Sequence, residues 1–308
     1  MYVYGPVPSR RLGRSLGVSP IPPKTCSYTC IYCQLGRTDH LQIERESFYP
    51  REDILAEIIA RGQETNPDYL TFVGDGEPTL SSDLGWLIDQ SNKKLHLPVA
   101  VITNGSLLSR EGVRRDLQGA NVVVPTLDAG NEKVFRAMNR PHRNITFDYM
   151  LQGLIRFRQE YTGQLWIEVM LVKNVNDGVE ELENIKRSID KVGPDRVYIL
   201  TPIRPPAESW VRQPDPETIL RAQEIMGQAT AIAGLESGEF GLQEFLDAKQ
   251  AILEIGSRHP LRLSQAKKIE TKFSEPKLIE QMLGEGLLVK VEYSDEVYLL
   301  PGHFLRGK

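Results

Sequence analysis

Runs of β-branched and aromatic residues alternate with longer amphipathic stretches along most of the chain, and that alternation leaves few folds open. Neighbouring strands joined by a helix pair in parallel, because a parallel pair needs a crossover of about a dozen residues or more. Six runs read as strands: Leu16 to Ile21, Tyr69 to Val73, Val99 to Thr103, Val122 to Leu127, Leu165 to Val172 and Arg196 to Thr201. The clearest helices are Glu52 to Gln63, Ser82 to Lys93, Ile145 to Tyr161, Val179 to Lys191 and Pro216 to Ala233. The expected fold class is α/β, a partial (β/α)6 TIM-like barrel. In such barrels functional groups sit at the C-terminal ends of the strands. The chemically distinctive residues fall there: a cysteine run after the first strand, Gly74-Asp75-Gly76-Glu77-Pro78 after the second, Thr103-Asn104-Gly105-Ser106 after the third and Asp128 after the fourth.

The three cysteines of the chain fall within eight residues, as Cys26-Ser27-Tyr28-Thr29-Cys30-Ile31-Tyr32-Cys33. Thiolates are soft ligands for iron-sulfur clusters, zinc or Cu(I). Three on one short loop reach three corners of a cubane and leave its fourth iron without a protein ligand. A structural zinc site takes four protein ligands, and His40 is the residue that could complete one. An odd number of clustered cysteines argues against a secreted disulfide framework and for a reducing compartment. No apolar run approaches the ~20 residues of a membrane span, and Met1 to Pro6 lacks the basic-then-apolar plan of a signal peptide. The expected location is therefore cytoplasmic.

Composition, with 40% hydrophobic and 25% charged residues, is that of a globular protein. The net charge of -4 gives no global sign of nucleic-acid binding, yet the first forty residues carry Arg10, Arg11, Arg14, Lys24 and Arg37 against Asp39. A composition shift from Gly234 to Gly241 suggests a boundary between a barrel domain at 1–235 and a second domain at 242–308. In the second domain Phe245 to Gly256, Ser264 to Phe273 and Glu275 to Gly284 read as helices and Leu287 to Leu300 as a hairpin. Three helices and a hairpin resemble a winged helix-turn-helix. Basic and acidic residues are equal in number from Leu242 to Lys308, and the third helix carries Glu275, Lys277 and Glu280. A helix that reads the major groove is normally basic or amide-rich. The charges argue against DNA binding and for substrate or partner docking, or closure of one barrel end.

The C-x3-C-x2-C run with an aromatic before its third cysteine, followed by Gly-Asp-Gly-Glu-Pro at a strand end and Ile102-Thr103-Asn104-Gly105, resembles the radical S-adenosyl-L-methionine (SAM) superfamily over roughly residues 1–235. Within it, Tyr4 to Gly13, Thr126 to Ala129 and Thr201 to Glu208 resemble an uncharacterised branch related to the tRNA-modifying wyosine synthases. The resemblance implies a 4Fe-4S cluster on Cys26, Cys30 and Cys33. Its open iron would bind the amino and carboxylate groups of SAM. An electron from a flavodoxin- or ferredoxin-like donor then cleaves the sulfonium, and the resulting 5'-deoxyadenosyl radical abstracts hydrogen from substrate.

The resemblance also places Gly74, Asp75, Gly76 and Glu77 beside the SAM amino group and Tyr32 beside adenine. Glycine suits close backbone approach and a carboxylate suits an ammonium. Thr103, Asn104, Ser106 and Asp128 can bond ribose or methionine carboxylate, although Asn-Gly is also a common turn pair. Glu168 is a candidate to point into the barrel. Arg10, Arg11, Arg140, His142 and Arg204 are candidates for an anion-binding set, with Arg204 held by the stiff Pro205-Pro206 loop. Wyosine synthases use a second cluster, but no cysteine remains in this chain for one, nor for a catalytic cysteine pair or a thiyl relay. The expected function is a single-cluster radical SAM enzyme, oxidoreductase-like or lyase-like, acting on an anionic peptide, nucleotide or small metabolite. Two alternatives are a glycyl-radical activase docking a partner protein and a cluster-sensing DNA-binding regulator.

Overall fold

The computed structural model of the protein describes residues 1–227, 229–232, 240–242 and 245–302. In chain order its strands are β1 (Val3–Ser9), β2 (Gly13–Val18), β3 (Thr25–Cys26), β4 (His40–Leu41), β5 (Tyr69–Phe72), β6 (Val99–Thr103), β7 (Val122–Pro125), β8 (Gln164–Met170), β9 (Arg196–Leu200), β10 (Thr230–Ala231), β11 (Leu261–Arg262), β12 (Leu288–Tyr293) and β13 (Glu296–Pro301). The α-helices are α1 (Arg51–Thr65), α2 (Leu84–Lys94), α3 (Glu111–Asp116), α4 (Glu132–Met138), α5 (Phe147–Glu160), α6 (Val179–Val192), α7 (Pro216–Met226), α8 (Ala248–Arg258), α9 (Leu263–Lys272) and α10 (Leu278–Gly284). The main sheet runs β1-β2-β5-β6-β7-β8-β9-β10. Every pairing from β2 to β10 is parallel, while β1 joins β2 antiparallel.

The six predicted strands correspond to β2 and β5 to β9. The added edge strand β1, which holds Pro6 and Pro8, was not among the strands read from the sequence. Its register shifts between Tyr4 and Val7, and proline is accommodated at sheet edges and bulges. Helix α7 stops at Met226 and does not run on to Ala233, because Gly227 turns the chain with φ 72°. The expected linker from Gly234 to Gly241 lies mostly outside the described residues, as do residues 303–308 of the expected second domain.

Strand alternation sorts the side chains onto two faces. Along β8, Leu165, Ile167 and Val169 join the large core beneath the helices, together with Leu70 and Phe72 of β5. Trp166 faces the other way and packs with Ala100, Val122, Val124 and Tyr198 in the barrel interior. Glu168, two residues beyond Trp166, therefore also points inward.

The last six elements, in the order helix, strand, helix, helix, strand, strand, enclose a core of their own built on Ala251, Ile252, Ile269, Met282 and Leu299. Their sheet runs β11-β13-β12. Helix α8 begins at Ala248 because Asp247 caps it by accepting the Gln250 N–H, which leaves Phe245 in the core ahead of the helix. Helix α10 starts only at Leu278, since Lys277 sits in the left-handed region with φ 71°. Among the described residues no helix is long and apolar enough to cross a membrane.

Candidate active site

Cys26 lies on β3, which pairs with β4 through Thr25 to His40 and Cys26 to Leu41. The loop that follows is pinned from below by the end of α4, with Ile31 N–H donating to Met138 O and Thr29 N–H to Asn139 O. The thiols are free and half-buried. Burial pushes Cys26 up to about 12, helped by the Glu77 charge. Burial also raises Cys30 well above the usual thiol range, and it raises Cys33 against the Leu35 N–H and Lys24. Thiols held this way become thiolates when a metal replaces their protons. Among the described residues no three cysteine, histidine or acidic side chains close on a single ion, as a tetrahedral zinc centre requires. A multi-iron cluster takes one thiolate per iron, so its ligands stand further apart.

The donor set fits such a cluster on a second ground. Tyr28, between Cys26 and Cys30, is 2% exposed, and its hydroxyl is buried without a partner. An orphaned donor within the field of Cys26 and Cys30 suits a bound group that brings its own acceptors.

The Gly74-Asp75-Gly76-Glu77-Pro78 turn lies against β3, where Glu77 N–H donates to Thr25 O at 3.1 Å. A Cβ on Gly76 would fall 1.8 Å from Thr25 O, so the contact admits glycine alone. The two acidic residues have different surroundings. Glu77 is 1% exposed and accepts four bonds: Thr79 N–H at 3.0 Å, Thr79 Oγ1 at 2.5 Å, Thr103 Oγ1 at 2.6 Å and Asn104 N–H at 2.7 Å. Burial raises its carboxyl, and those bonds oppose the rise. Asp75 faces Arg258 at the end of α8, whose Nε lies 3.3 Å from both carboxylate oxygens.

Asn104 and Ser106 brace the cysteine loop. Asn104 Nδ2 donates to Ser27 Oγ at 2.9 Å and to Cys26 Sγ at 3.5 Å, and Ser106 Oγ meets Ser27 Oγ at 2.7 Å. Asp128 accepts from Tyr32 Oη at 2.5 Å, Asn139 Nδ2 at 2.7 Å and Met170 N–H at 2.8 Å. Burial pushes its carboxyl up to about 6 against those bonds.

One cavity of about 330 Å³ is lined by Cys26, Cys30 and Cys33, by Tyr32 and Gly74 to Gly76, and by Arg10, Arg11 and Arg204. Arg11 Nε stands 2.7 Å from Glu168 Oε1 as an ion pair without hydrogen-bond alignment. Arg10 donates to Ile232 O at 3.0 Å. Arg204 donates to Gln34 Oε1 at 2.6 Å and meets His259 Nε2 at 3.1 Å. Burial, then Arg204, hold His259 well below its usual range, so the ring is neutral.

Glu77, Thr103, Asn104, Ser106 and Asp128 do not line this cavity; their polar atoms are engaged within the protein just behind it. Arg140 and His142 are not brought to it either. Arg140 turns to Glu208, and His142 Nδ1 accepts the Asn144 N–H. Sequence reasoning missed Tyr28, Asn139, Glu208 and Arg258. Glu208 carried a signal at the end of the Thr201 to Glu208 block and Tyr28 lay inside the cysteine run; Asn139 and Arg258 depend on contacts far apart in the chain.

The radical SAM superfamily matches residues 21–189. The UPF0026 protein of Methanocaldococcus jannaschii is 39% identical over 315 residues, 99% of this chain and 97% of that one. A GTPase Obg of Brachyspira hyodysenteriae is 46% identical over 203 residues, which are 66% of this chain and 30% of that protein. Among solved structures, a radical SAM methyltransferase from Sphaerobacter thermophilus superposes with a TM-score of 0.52 at 20% identity, over 70% of this chain and 65% of that one. Streptococcus suis SuiB bound to precursor peptide SuiA superposes with a TM-score of 0.55 at 14% identity, over 70% of this chain and 48% of that one. At those identities the likeness is one of fold, with an α/β partial barrel in common. Members of the matched superfamily are enzymes that use a 4Fe-4S cluster and SAM and draw on a reductant. With more than half the chain matched and a relative aligned along nearly its full length, the chain belongs to the radical SAM superfamily.

Proposed function

We propose that Cys26, Cys30 and Cys33 hold a single 4Fe-4S cluster and that the chain abstracts hydrogen from an anionic substrate held at the mouth of the same cavity. The observation that carries this reading is the convergence of all three cysteines, the Gly74 to Gly76 turn and Arg10, Arg11 and Arg204 on one cavity of about 330 Å³. Bound there, cluster and SAM supply reductive cleavage of the sulfonium and the hydrogen-atom abstraction that follows. The protein binds, orients and shields. Gly74 and Gly76 let backbone approach the SAM amino group, Asp75 offers it a carboxylate, and the Tyr32 ring, fixed through Asp128, borders the adenine. A flavodoxin- or ferredoxin-like protein delivers the electron.

The cavity is at the small end of the usual range for ligand sites, roughly 300–1,000 Å³. SAM alone takes much of it, so substrate approaches from outside. Lys24, Gln34, Gly36 and Arg37 also line a second cavity of about 500 Å³, walled by Pro205 to Ser209 and by Val291 to Tyr293 of β12. In this reading residues from 242 onward form a winged-helix-like domain that walls the substrate path and does not read DNA.

The test is anaerobic reconstitution, dithionite reduction and addition of SAM. The expected result is 5'-deoxyadenosine from the wild-type chain and none from Cys30→Ala. No 5'-deoxyadenosine from the wild type, with or without cell extract, overturns the proposal.

A further inference from the structure

We propose that Asn104 and Asn139 are positioning residues that set the reduction potential of the group held by the cysteines, by donating amide N–H bonds to the sulfurs of Cys26 and Cys30; this rests on the cluster assignment above. Asn104 Nδ2 lies 3.5 Å from Cys26 Sγ and Asn139 Nδ2 lies 3.6 Å from Cys30 Sγ. Both distances are within reach of an N–H···S bond.

The orientation of each amide, often ambiguous, is dictated here by its neighbours. Asn104 Oδ1 accepts the Ser106 N–H at 3.0 Å, so the oxygen end is taken by a backbone donor and the nitrogen end must face Cys26. Asn139 Nδ2 donates to Asp128 Oδ2 at 2.7 Å, and an ionised carboxylate only accepts. That fixes the nitrogen end of Asn139 towards Asp128, Cys30 and Tyr32. Asn139 is 2% exposed, so water does not compete for its second hydrogen.

The remaining contacts to sulfur show why these two side chains matter. Cys26 also accepts the Tyr28 N–H at 3.5 Å, and Cys33 faces the Leu35 N–H. Those are backbone groups, present whatever the side chain, and the Tyr32 hydroxyl, which also reaches Cys30, is committed to Asp128 Oδ2 at 2.5 Å. The two asparagines supply the side-chain donors, one from the loop after β6 and one from the end of α4. Reduction of a cluster adds negative charge that is shared with its sulfurs. An N–H dipole aimed at a ligating sulfur stabilises the reduced form more than the oxidised one, which raises the potential. Where the donor is buried, as Asn139 is, the effect is screened less than it would be in water.

The experiment compares reconstituted wild type, Asn104→Leu, Asn139→Leu and the double variant by potentiometric titration followed by electron paramagnetic resonance, with iron and sulfide content measured for each. Leucine keeps the approximate volume and removes the donor. The expected result is a midpoint potential more negative in each single variant and more negative still in the double. Clusters at wild-type content with an unchanged midpoint overturn the proposal. So does failure of both single variants to hold iron at wild-type content, which assigns the asparagines to scaffolding alone. A wild-type chain that forms no iron-sulfur cluster refutes the cluster assignment itself, and the two failures are thus distinguishable.

Discussion

Glu77 and Asp75 stand two residues apart in one turn and do different work. Glu77 ties the turn to the end of β6 by accepting from Thr79, Thr103 and Asn104, whereas Asp75 faces the C-terminal elements. Glu77→Gln puts an amide group among donors and leaves at least one of them unsatisfied. The expected loss is about 1–3 kcal/mol of stability in the cluster-free protein, read from denaturant midpoints, whereas Glu77→Asp, which keeps two acceptor oxygens, loses less. The motif was legible in the sequence as a strand-end turn. Which carboxylate turns inward was not, because that depends on how the turn docks on Thr25, a residue some fifty positions earlier. Asn139 was invisible for the same reason: its partners Cys30 and Asp128 approach it only in the folded barrel.

Elements carry the next level of constraint. The loop after Cys33 and the loop after β9 are bolted together by Glu208, which accepts from Arg37 Nε at 3.1 Å and from Arg140 while its own N–H donates to Ile31 O at 3.0 Å. The Arg37 bond, with help from Arg140, holds the Glu208 carboxyl below its usual value of 4.5. A carboxyl lowered in the folded state stabilises it above that usual value and ceases to do so as pH falls through the lowered one. Cluster-free wild type is therefore expected to melt above Glu208→Gln at neutral pH, with the gap closing in acid below 4.5; a gap independent of pH would remove the charge from this account. The long parallel strands and their helices were readable because each repeats its apolar period several times. Helices α3 and α4, of six and seven residues, were too short to show one, and the prolines of β1 interrupt its run of strand-forming residues.

At the scale of the whole molecule, the end of α8 meets three parts of the site at once. Arg258 pairs with Asp75 and lies 5.0 Å over the Tyr4 ring, its carbonyl accepts from Gln34, and the next residue, His259, meets Arg204. The Asp75 and Arg258 side chains are 8% and 13% exposed, so removing one partner strands a buried charge. Arg258→Ala is expected to cost about 3–5 kcal/mol and, on the proposed reading of Asp75, to change SAM affinity several-fold, measured by calorimetry on the reconstituted enzyme. Unchanged affinity in a folded variant would detach Asp75 from SAM. This seam could not be read from the sequence, since Arg258 stands 183 positions from Asp75 and 224 from Gln34.

Among the described residues the sheet begins at β1 and ends at β10 without pairing them; Arg10, just past β1, reaches Ile232, just past β10, and the Gly241 N–H donates to Pro6 O of β1. A side chain is thus one of the stitches where a closed barrel would have another strand. The same guanidinium belongs to the cavity that holds the cysteines. An anion bound there would compete with Ile232 O for this guanidinium, so filling of the cavity would be felt at the open side of the barrel.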